Sequence, residues 1–422
     1  MSDPSITSDV GPASGQLISL TSARTKVGNM SLTADQATTV PAGLKSEICI
    51  IPSTSAPGYG SYFVVDIKEK NILLHNIVLQ FNINQISGLT GSVANFPHFN
   101  PMFYAFTRIE IVMNGTVLDT VYGNQQFIMN QLFWSDQDRA YINAAAGHYA
   151  SQAQRNTLAT ATSNYYVNLK TLFDQNSIPI LTTSHEIQLR VYTDSIANIV
   201  NQSTLTGTPV ANINYCNAIC RVTRLPVAVA SQQLAAMGKM PYSHIFHDLR
   251  YATFTLASGV TSSTVVLTPV VGRVAAIIFV ARPTASLTGN NAFSYTAISN
   301  FAILNSSSAN IVGGQAINSA LALEILGMYN VRSSYLCETS IGANAVGTVQ
   351  NNNANVYIWS FSSDLIGAIA NGQCLNSYQF QGNEQLQINW NSSLAATTQV
   401  DVYALTEACL TQGVSGIVKS AL

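Results

Sequence analysis

Residues able to do chemistry are few in this chain, and their spacing does not favour it. His244-Ile-Phe-His247-Asp248 sets two imidazoles three positions apart beside a carboxylate, the kind of group that can hold a metal ion. No second His or Cys pair follows at zinc spacing, so packing and hydrogen bonding are the expected roles and no metal is expected. His185 and Glu186 fall on adjacent positions of an alternating run read as a strand. There they point to opposite faces and cannot form a dyad. Asp136, Asp138 and Arg139 read as a solvated helix face, with an intersubunit salt link as the sharper alternative. Trp134, Trp359 and Trp390 read as core anchors rather than sugar platforms. Six cysteines are scattered (Cys49, Cys216, Cys220, Cys337, Cys374, Cys409), and only Cys216 and Cys220 stand close. Buried thiols in strands, folded in a reducing or redox-indifferent place, are expected. There is no Gly-x-Ser-x-Gly elbow, Walker loop or glycine-rich dinucleotide fingerprint. The chain reads as no enzyme, and no cofactor is expected.

What would position such residues is more informative than the residues themselves. Of 422 residues, 18 are Lys or Arg and 20 are Asp or Glu, or 9% charged, where globular domains average about a quarter. The surface must be built from Asn, Gln, Ser and Thr. A formal charge of −2 leaves no basic field for nucleic acid, and no direct nucleic-acid binding is expected. Weak charge also lowers the repulsion between copies of one chain. With 47% hydrophobic residues, the chain can bury a large core without covalent help. The first residues lack a basic segment followed by an apolar core, and the apolar run 264–280 is broken by Pro269 and Arg273. Synthesis in a cytoplasm without export is the expectation.

The chain also repeats itself. Asn114 matches Asn305, Gly123 matches Gly314, Leu132 matches Leu323 and Tyr166 matches Tyr357; 305 minus 114, 314 minus 123, 323 minus 132 and 357 minus 166 each give 191. Two similar β domains in tandem are predicted. Residues 1–60 read as an arm and lead-in, 61–227 as the first domain, 228–248 as a connector and 249–422 as the second domain with a C-terminal tail. In the first domain, strands are predicted at Tyr62–Ile67, Ile72–Ile83, Arg108–Met113, Tyr165–Leu169, His185–Tyr192 and 213–227. Asn114-Gly115 is a hairpin signal, because a two-residue turn of this kind needs positive φ twice. Helix is predicted over 125–160 and 316–326, and a short linker helix over 228–238, stopped by Gly238 and Pro241. Strands in the second half are predicted at Ala252–Leu256, Thr264–Leu267, Val274–Ala281, Phe301–Leu304, Tyr357–Phe361, Tyr378–Gln381, Glu384–Trp390 and Gln399–Leu405. An all-β fold follows: two tandem eight-stranded jelly rolls with short helical insertions and a linker helix.

The run Ile109-Glu-Ile-Val-Met-Asn-Gly-Thr-Val-Leu-Asp-Thr-Val-Tyr-Gly-Asn, followed by helix, resembles the strand, turn and helix of the first domain of double jelly-roll major capsid proteins. That lineage covers nucleocytoplasmic large DNA viruses, adenovirus and tailless membrane-containing phages. Tyr165-Tyr-Val-Asn-Leu-Lys-Thr-Leu-Phe, then Ser177-Ile-Pro179-Ile-Leu and His185-Glu-Ile-Gln-Leu-Arg-Val, is similar to the family's second block. The family's Gly-Gly turn is Asn114-Gly115 here, its Pro-Leu is Asn168-Leu169, and its Trp-rich helix keeps Trp134, which marks a distant member. The resemblance implies a homotrimer whose six rolls form a pseudo-hexagonal capsomer of an icosahedral shell in the virion. It implies neighbouring capsomers, minor capsid or penton proteins and an internal membrane as partners. The segments 125–160 and 316–336 would face outward or join neighbours. A trimeric receptor-binding spike or fibre head is the alternative, although no heptad shaft is visible. A secreted carbohydrate-binding module would carry a signal sequence and exposed aromatics.

Overall fold

A computed structural model describes residues 17–19, 31–33, 45–91, 101–133, 144–147, 157–200, 205–287, 295–312, 317–318, 343–344, 347–348, 355–365 and 376–421. Two three-residue strands, β1 (Leu17–Ser19) and β2 (Ser31–Thr33), pair with each other. The first half then runs through β3 (Lys45–Pro52), β4 (Tyr62–Ile67), β5 (Ile72–Ile83), β6 (Ser87–Gly91), β7 (Phe106–Met113), β8 (Thr116–Tyr122), β9 (Ser163–Leu169), β10 (Ile178–Ile180), β11 (Ile187–Thr193), β12 (Leu205–Val210) and β13 (Ile213–Arg224). The second half comprises β14 (Tyr242–Leu256), β15 (Ser262–Val266), β16 (Val271–Pro283), β17 (Asn300–Leu304), β18 (Ile317–Asn318), β19 (Ala343–Asn344), β20 (Gly347–Thr348), β21 (Tyr357–Ser360), β22 (Tyr378–Gln381), β23 (Gln385–Asn389), β24 (Thr398–Gly413) and β25 (Gly416–Ala421).

Setting aside the short side ribbons, both halves are threaded alike. In the first, β3, β13, β5 and β9 form one sheet and β4, β11, β7 and β8 the other. In the second, β14, β24, β16 and β21 form one sheet and β15, β23, β17 and β18 the other. Counted along the chain, the first, eighth, third and sixth main strands share a sheet in each half, and the second, seventh, fourth and fifth share its partner. This is the jelly-roll order, and it occurs twice.

Side-chain alternation explains the pairing. In β11, Ile187, Leu189 and Val191 are buried between Gln188, Arg190 and Tyr192. Their cross-strand partners are Ile67, Val65 and Phe63 on β4 and Met113, Ile111 and Ile109 on β7, so every inward rung is apolar. Asn114 (φ 47°) and Gly115 (φ 80°) both adopt the left-handed region between β7 and β8, with Met113 opposite Thr116. The short side chain of Asn tolerates that region, and Gly has no Cβ to clash there. Gly123 opens the helix Gly123–Phe133 for a different reason: a Cβ there would meet the carbonyl oxygens of Phe103 and Phe106.

Several expectations need correction. The lead-in to residue 60 contains β3, the first strand of the first roll, held to β13 from Lys45 to Pro52. The connector 228–248 contains the start of β14, which pairs with β24 along its whole length. The linker helix, Val227–Lys239, runs through Gly238 and ends where the Met240 N–H reaches Ala236 O. The first helical insertion is helix at Gly123–Phe133; most of 134–156 lies outside the described residues. Helix was expected from 316, but Ile317 and Asn318 are strand, recruited by β17 through Phe301 and Asn300; residues 319–336 lie outside the described residues. His185 is not on a strand: it ends the 3-10 turn Thr183–His185, and β11 starts at Ile187.

Apolar side chains form a separate core inside the second roll, around Ile277, Phe279, Phe301 and Val402. The larger cluster does not stop at the first roll. It continues from Phe63, Phe81 and Leu189 to Phe246, Ile278, Tyr403, Leu405 and Leu410, on the outer face of the second roll's β14-β24-β16 sheet. That sheet is therefore buried on both sides.

Candidate functional site: the seam between the rolls

The two rolls are joined along the β8 edge of the first and the outer sheet face of the second. The β24–β25 hairpin acts as a strap across this seam. Asn114 Nδ2 donates to Ser415 O at 3.3 Å, so the hairpin turn read from sequence lies against the turn of the strap. Gln412 Nε2 donates to Pro179 O at 2.7 Å. Leu181 N donates to His185 Nδ1 at 3.4 Å, which leaves Nε2 as the proton-bearing nitrogen facing Gly413 O at 2.7 Å. Burial pushes the His185 pKa down, partly opposed by the bond to Gly413. Asn176 Nδ2 reaches Ile245 O at 2.8 Å, and the His247 N–H donates to Gln175 Oε1 at 2.8 Å.

Among the described residues, charge sits at two places in the seam. Arg282 Nη2 lies 2.9 Å from Oδ2 of the fully buried Asp401, whose other oxygen accepts from Tyr251 OH at 2.7 Å, and a second cluster lies at the strap. Lys419 Nζ, on β25, lies 2.6 Å from Asp248 Oδ1 of β14 and donates to Leu118 O of β8 at 2.7 Å. Arg250 Nε lies 3.0 Å from Asp248 Oδ2. Next to Leu118, the buried Asp119 accepts from Leu172 N at 2.9 Å and Thr120 N at 2.8 Å. Burial, and then the Asp248 carboxylate, push the Asp119 carboxyl up to about 6, against those two hydrogen bonds and Lys419.

Beside this cluster runs an aromatic stack. Tyr251 lies between Tyr122 of the first roll, with ring centroids 4.5 Å apart, and Tyr403, at 5.3 Å. Asn124 donates to Tyr403 OH at 2.9 Å and accepts from Tyr295 OH at 2.8 Å. The cleft that Tyr122, Tyr251, Tyr403 and Asn124 line with Arg282 holds about 170 Å³, below the roughly 300 Å³ of a usual ligand pocket. Joining, rather than binding a small molecule, is what this arrangement can do.

The sequence-derived residues fall in three groups. Asn114, Gly115, Gly123 and Pro179 meet at or next to the seam. Asn305 ends β17 as Asn114 ends β7, but its turn is longer: its side chain accepts from Ser307 N and Ala309 N. Tyr357 lies in the second roll's core, stacked on Phe279 at 5.2 Å. Tyr166 faces outward and accepts from Gln80. The partner of Tyr357 by face is the buried Tyr165, which sits opposite Phe81 as Tyr357 sits opposite Phe279. A single offset of 191 therefore does not carry through this strand, because one residue of slip exchanges the faces. Trp134, Asp136, Asp138, Arg139, Gly314, Leu323, Cys337 and Cys374 lie outside the described residues. Trp390 packs in the second core and Trp359 against its edge. Among the described residues no three His, Cys, Asp or Glu converge as metal ligands, and Asp248 is taken by Lys419 and Arg250. The missed seam residues, Asp119 and Lys419, do carry a signal: in a chain this poor in charge, each interrupts an apolar strand.

No protein-family model and no curated protein matches this sequence. Solved structures do match its fold. The VP54 protein of PBCV-1 superposes with a TM-score of 0.64 at 15% identity, covering 90% of this chain and 97% of that one. The Faustovirus major capsid protein gives 0.59 at 8% identity, covering 88% and 91%. The mavirus major capsid protein gives 0.51 at 11%, covering 89% and 90%. This chain has the double jelly-roll fold of those proteins, roll for roll and over nearly its whole length.

Proposed function

We propose that this chain is the major capsid protein of an icosahedral virus, with 45–224 and 242–421 as its two building units. The observation that carries the reading is two identically threaded rolls fused by one continuous apolar seam. A catalyst needs converging reactive groups, whereas a tile needs rigid lobes held at a fixed angle. Three chains with two rolls each supply six similar lobes, so one gene product can fill six-coordinated positions of a shell. The contact between chains is then heterologous and ring-closing. The chain would be made in the host cytoplasm and reside in the virion, against neighbouring capsomers and minor capsid or penton proteins. An internal membrane beneath the shell belongs to the same reading.

Light scattering during size exclusion, with electron microscopy of the same fractions, tests it. The expected result is a particle about three times 45.2 kDa with a hexagonal outline. A monomer at micromolar concentration, or an elongated head, would overturn the reading.

A further inference from the structure

The two rolls present the same sheet face in different chemistry. The buried pairs Phe81–Tyr165 and Phe279–Tyr357 fix the register between the rolls. One residue earlier on the third strand, the outward rung of the second roll is Ile278 with Tyr403 and Ile358. All three are at most 2% exposed, covered by the first roll. The equivalent rung of the first roll is Gln80 with Asn217 and Tyr166. These three are partly exposed and hydrogen-bonded among themselves, Asn217 to Gln80 at 2.9 Å and Gln80 to Tyr166 at 3.2 Å. The next rung differs too: in the second roll it is Val280 with the fully buried Asp401, ion-paired to Arg282, and in the first roll it is again an amide network. Asn82 donates to Asn164 at 2.7 Å and accepts from Asn214 at 2.7 Å, and Tyr215 donates to Asn164 at 3.0 Å. Toward the edge strand the same face carries Ile50 and Ile48, 63% and 69% exposed, with the flank of β3 opposite β13 unpaired in its sheet.

From this contrast we infer that the outer face of the β3-β13-β5-β9 sheet is the surface on which a second copy of this chain docks, and that it docks as an already folded, soluble partner. The inference rests on the ring proposed above. Within one chain, the second roll's outer face is covered by the β8 edge of the first. If six rolls close a ring, each outer face takes the equivalent edge of the roll beside it. The first roll's face is then left for the β17–β18 end of the neighbouring chain. The second roll's face can be largely apolar, with the buried Arg282–Asp401 pair formed within the roll, because it is never exposed once the chain has folded. The first roll's face must stay soluble until a neighbour arrives, and an amide network around a small apolar patch does that, like a contact between separately stable proteins. No charged side chain lies in the two amide rungs, and in the Ile48 rung the charge is Arg221 alone, so association should depend only weakly on salt.

The test is native mass and thermal midpoint of the full chain carrying Ile50→Lys or Asn82→Lys, with Val227→Lys as a control at an equally exposed apolar site. Wild type and the control should be trimeric at both low and high salt. The two face variants should associate at least about tenfold more weakly, because an ammonium would be trapped in the contact, with midpoints matching wild type at dilutions where both are monomeric. A wild-type monomer at micromolar concentration would sink the capsid reading itself. Trimeric face variants beside a trimeric wild type would sink only the face assignment. So would face variants that lose midpoint even at dilutions where wild type is monomeric, or a control that dissociates as they do.

Discussion

Replacing Lys419 by Met should lower the stability of the chain by about 2 to 3 kcal/mol. Met keeps much of the aliphatic stem and removes the ammonium. The ammonium lies 2.6 Å from Asp248 Oδ1, with side-chain exposures of 17% and 4% for the pair. Removing one partner of a buried ion pair generally costs about 3 to 5 kcal/mol, because the other charge stays in place without compensation. Arg250 remains 3.0 Å from the second Asp248 oxygen and is 37% exposed, which brings the expected loss toward the lower end. Leu118 O also loses its donor. The assay is urea unfolding at neutral pH for wild type, Lys419→Met, Asp248→Asn and the double variant. The cycle should return a coupling of about 2 kcal/mol. Because the apolar cluster runs through both rolls, wild type should unfold in one transition, and the Lys419 variant is where separation into two would first appear. A Lys419→Met loss within about 0.5 kcal/mol of zero, the range of ordinary surface substitutions, or a coupling near zero, would refute the Lys419–Asp248 pair as an energetic link between β25 and β14.

Asp119 makes the same place sensitive to pH. Its folded pKa is raised to about 6 from 3.8, so the folded chain holds that proton more tightly than the unfolded one. The stability this confers is fully present below pH 3.8 and lost as pH rises through 6, about 3 kcal/mol in all. His75 and His244, both pushed down to about 4 mainly by burial, act in the other direction: their contribution is present above pH 6.5 and lost as pH falls through 4. Asp119→Asn should remove only the first effect. The wild-type minus variant difference in unfolding free energy should then fall by about 3 kcal/mol between pH 3 and 7, about 2 of it between pH 4 and 6, and a flat difference would show that Asp119 does not titrate there. Gly123→Ala should cost about 1 to 3 kcal/mol through overpacking, since the new Cβ would lie 2.8 Å from Phe106 O and nearer to Phe103 O; an unchanged urea midpoint would contradict the contact.

Much of the scaffold was legible because period and turn chemistry act locally. Strands β4, β5 and β22 lie where alternation and β-branched residues place them, and Asn114-Gly115 turns the chain as its two positive φ values require. Less legible was whatever tertiary pairing decides. Ile48-Cys-Ile-Ile is an apolar run in a Ser- and Thr-rich lead-in, and only β13 beside it makes it a strand. Tyr242–Leu249 does not read as strand because its buried positions 242 and 244 alternate with an exposed Ile245, the reverse of an apolar-in pattern, and β14 is covered on both sides only at Phe246–Asp248. Ile317 and Asn318 sit in a helix-favouring Ala-rich stretch, yet they pair with β17. The repeat was detectable, but its register was not. Tyr165 and Tyr166 are adjacent in sequence, and only burial tells which of them corresponds to Tyr357.

The seam also accounts for the composition. Under the proposed assembly, a chain that meets copies of itself on several sides gains little from a strong surface field, which would repel them, and cannot leave large apolar faces open, which would aggregate before assembly. Neutral amides avoid both outcomes. Asn76, Gln80, Asn82, Asn164, Asn168 and Asn217 all stand on one outer face and bond to one another or to a neighbouring Tyr or Asp. The corresponding strands of the second roll carry Ile278, Val280, Tyr403 and Leu405 in the seam cluster instead. The same backbone positions thus carry two chemistries. The apolar set fixes the rolls once, during folding. The amide set keeps the equivalent face of the first roll wet and specific until the chain meets another copy.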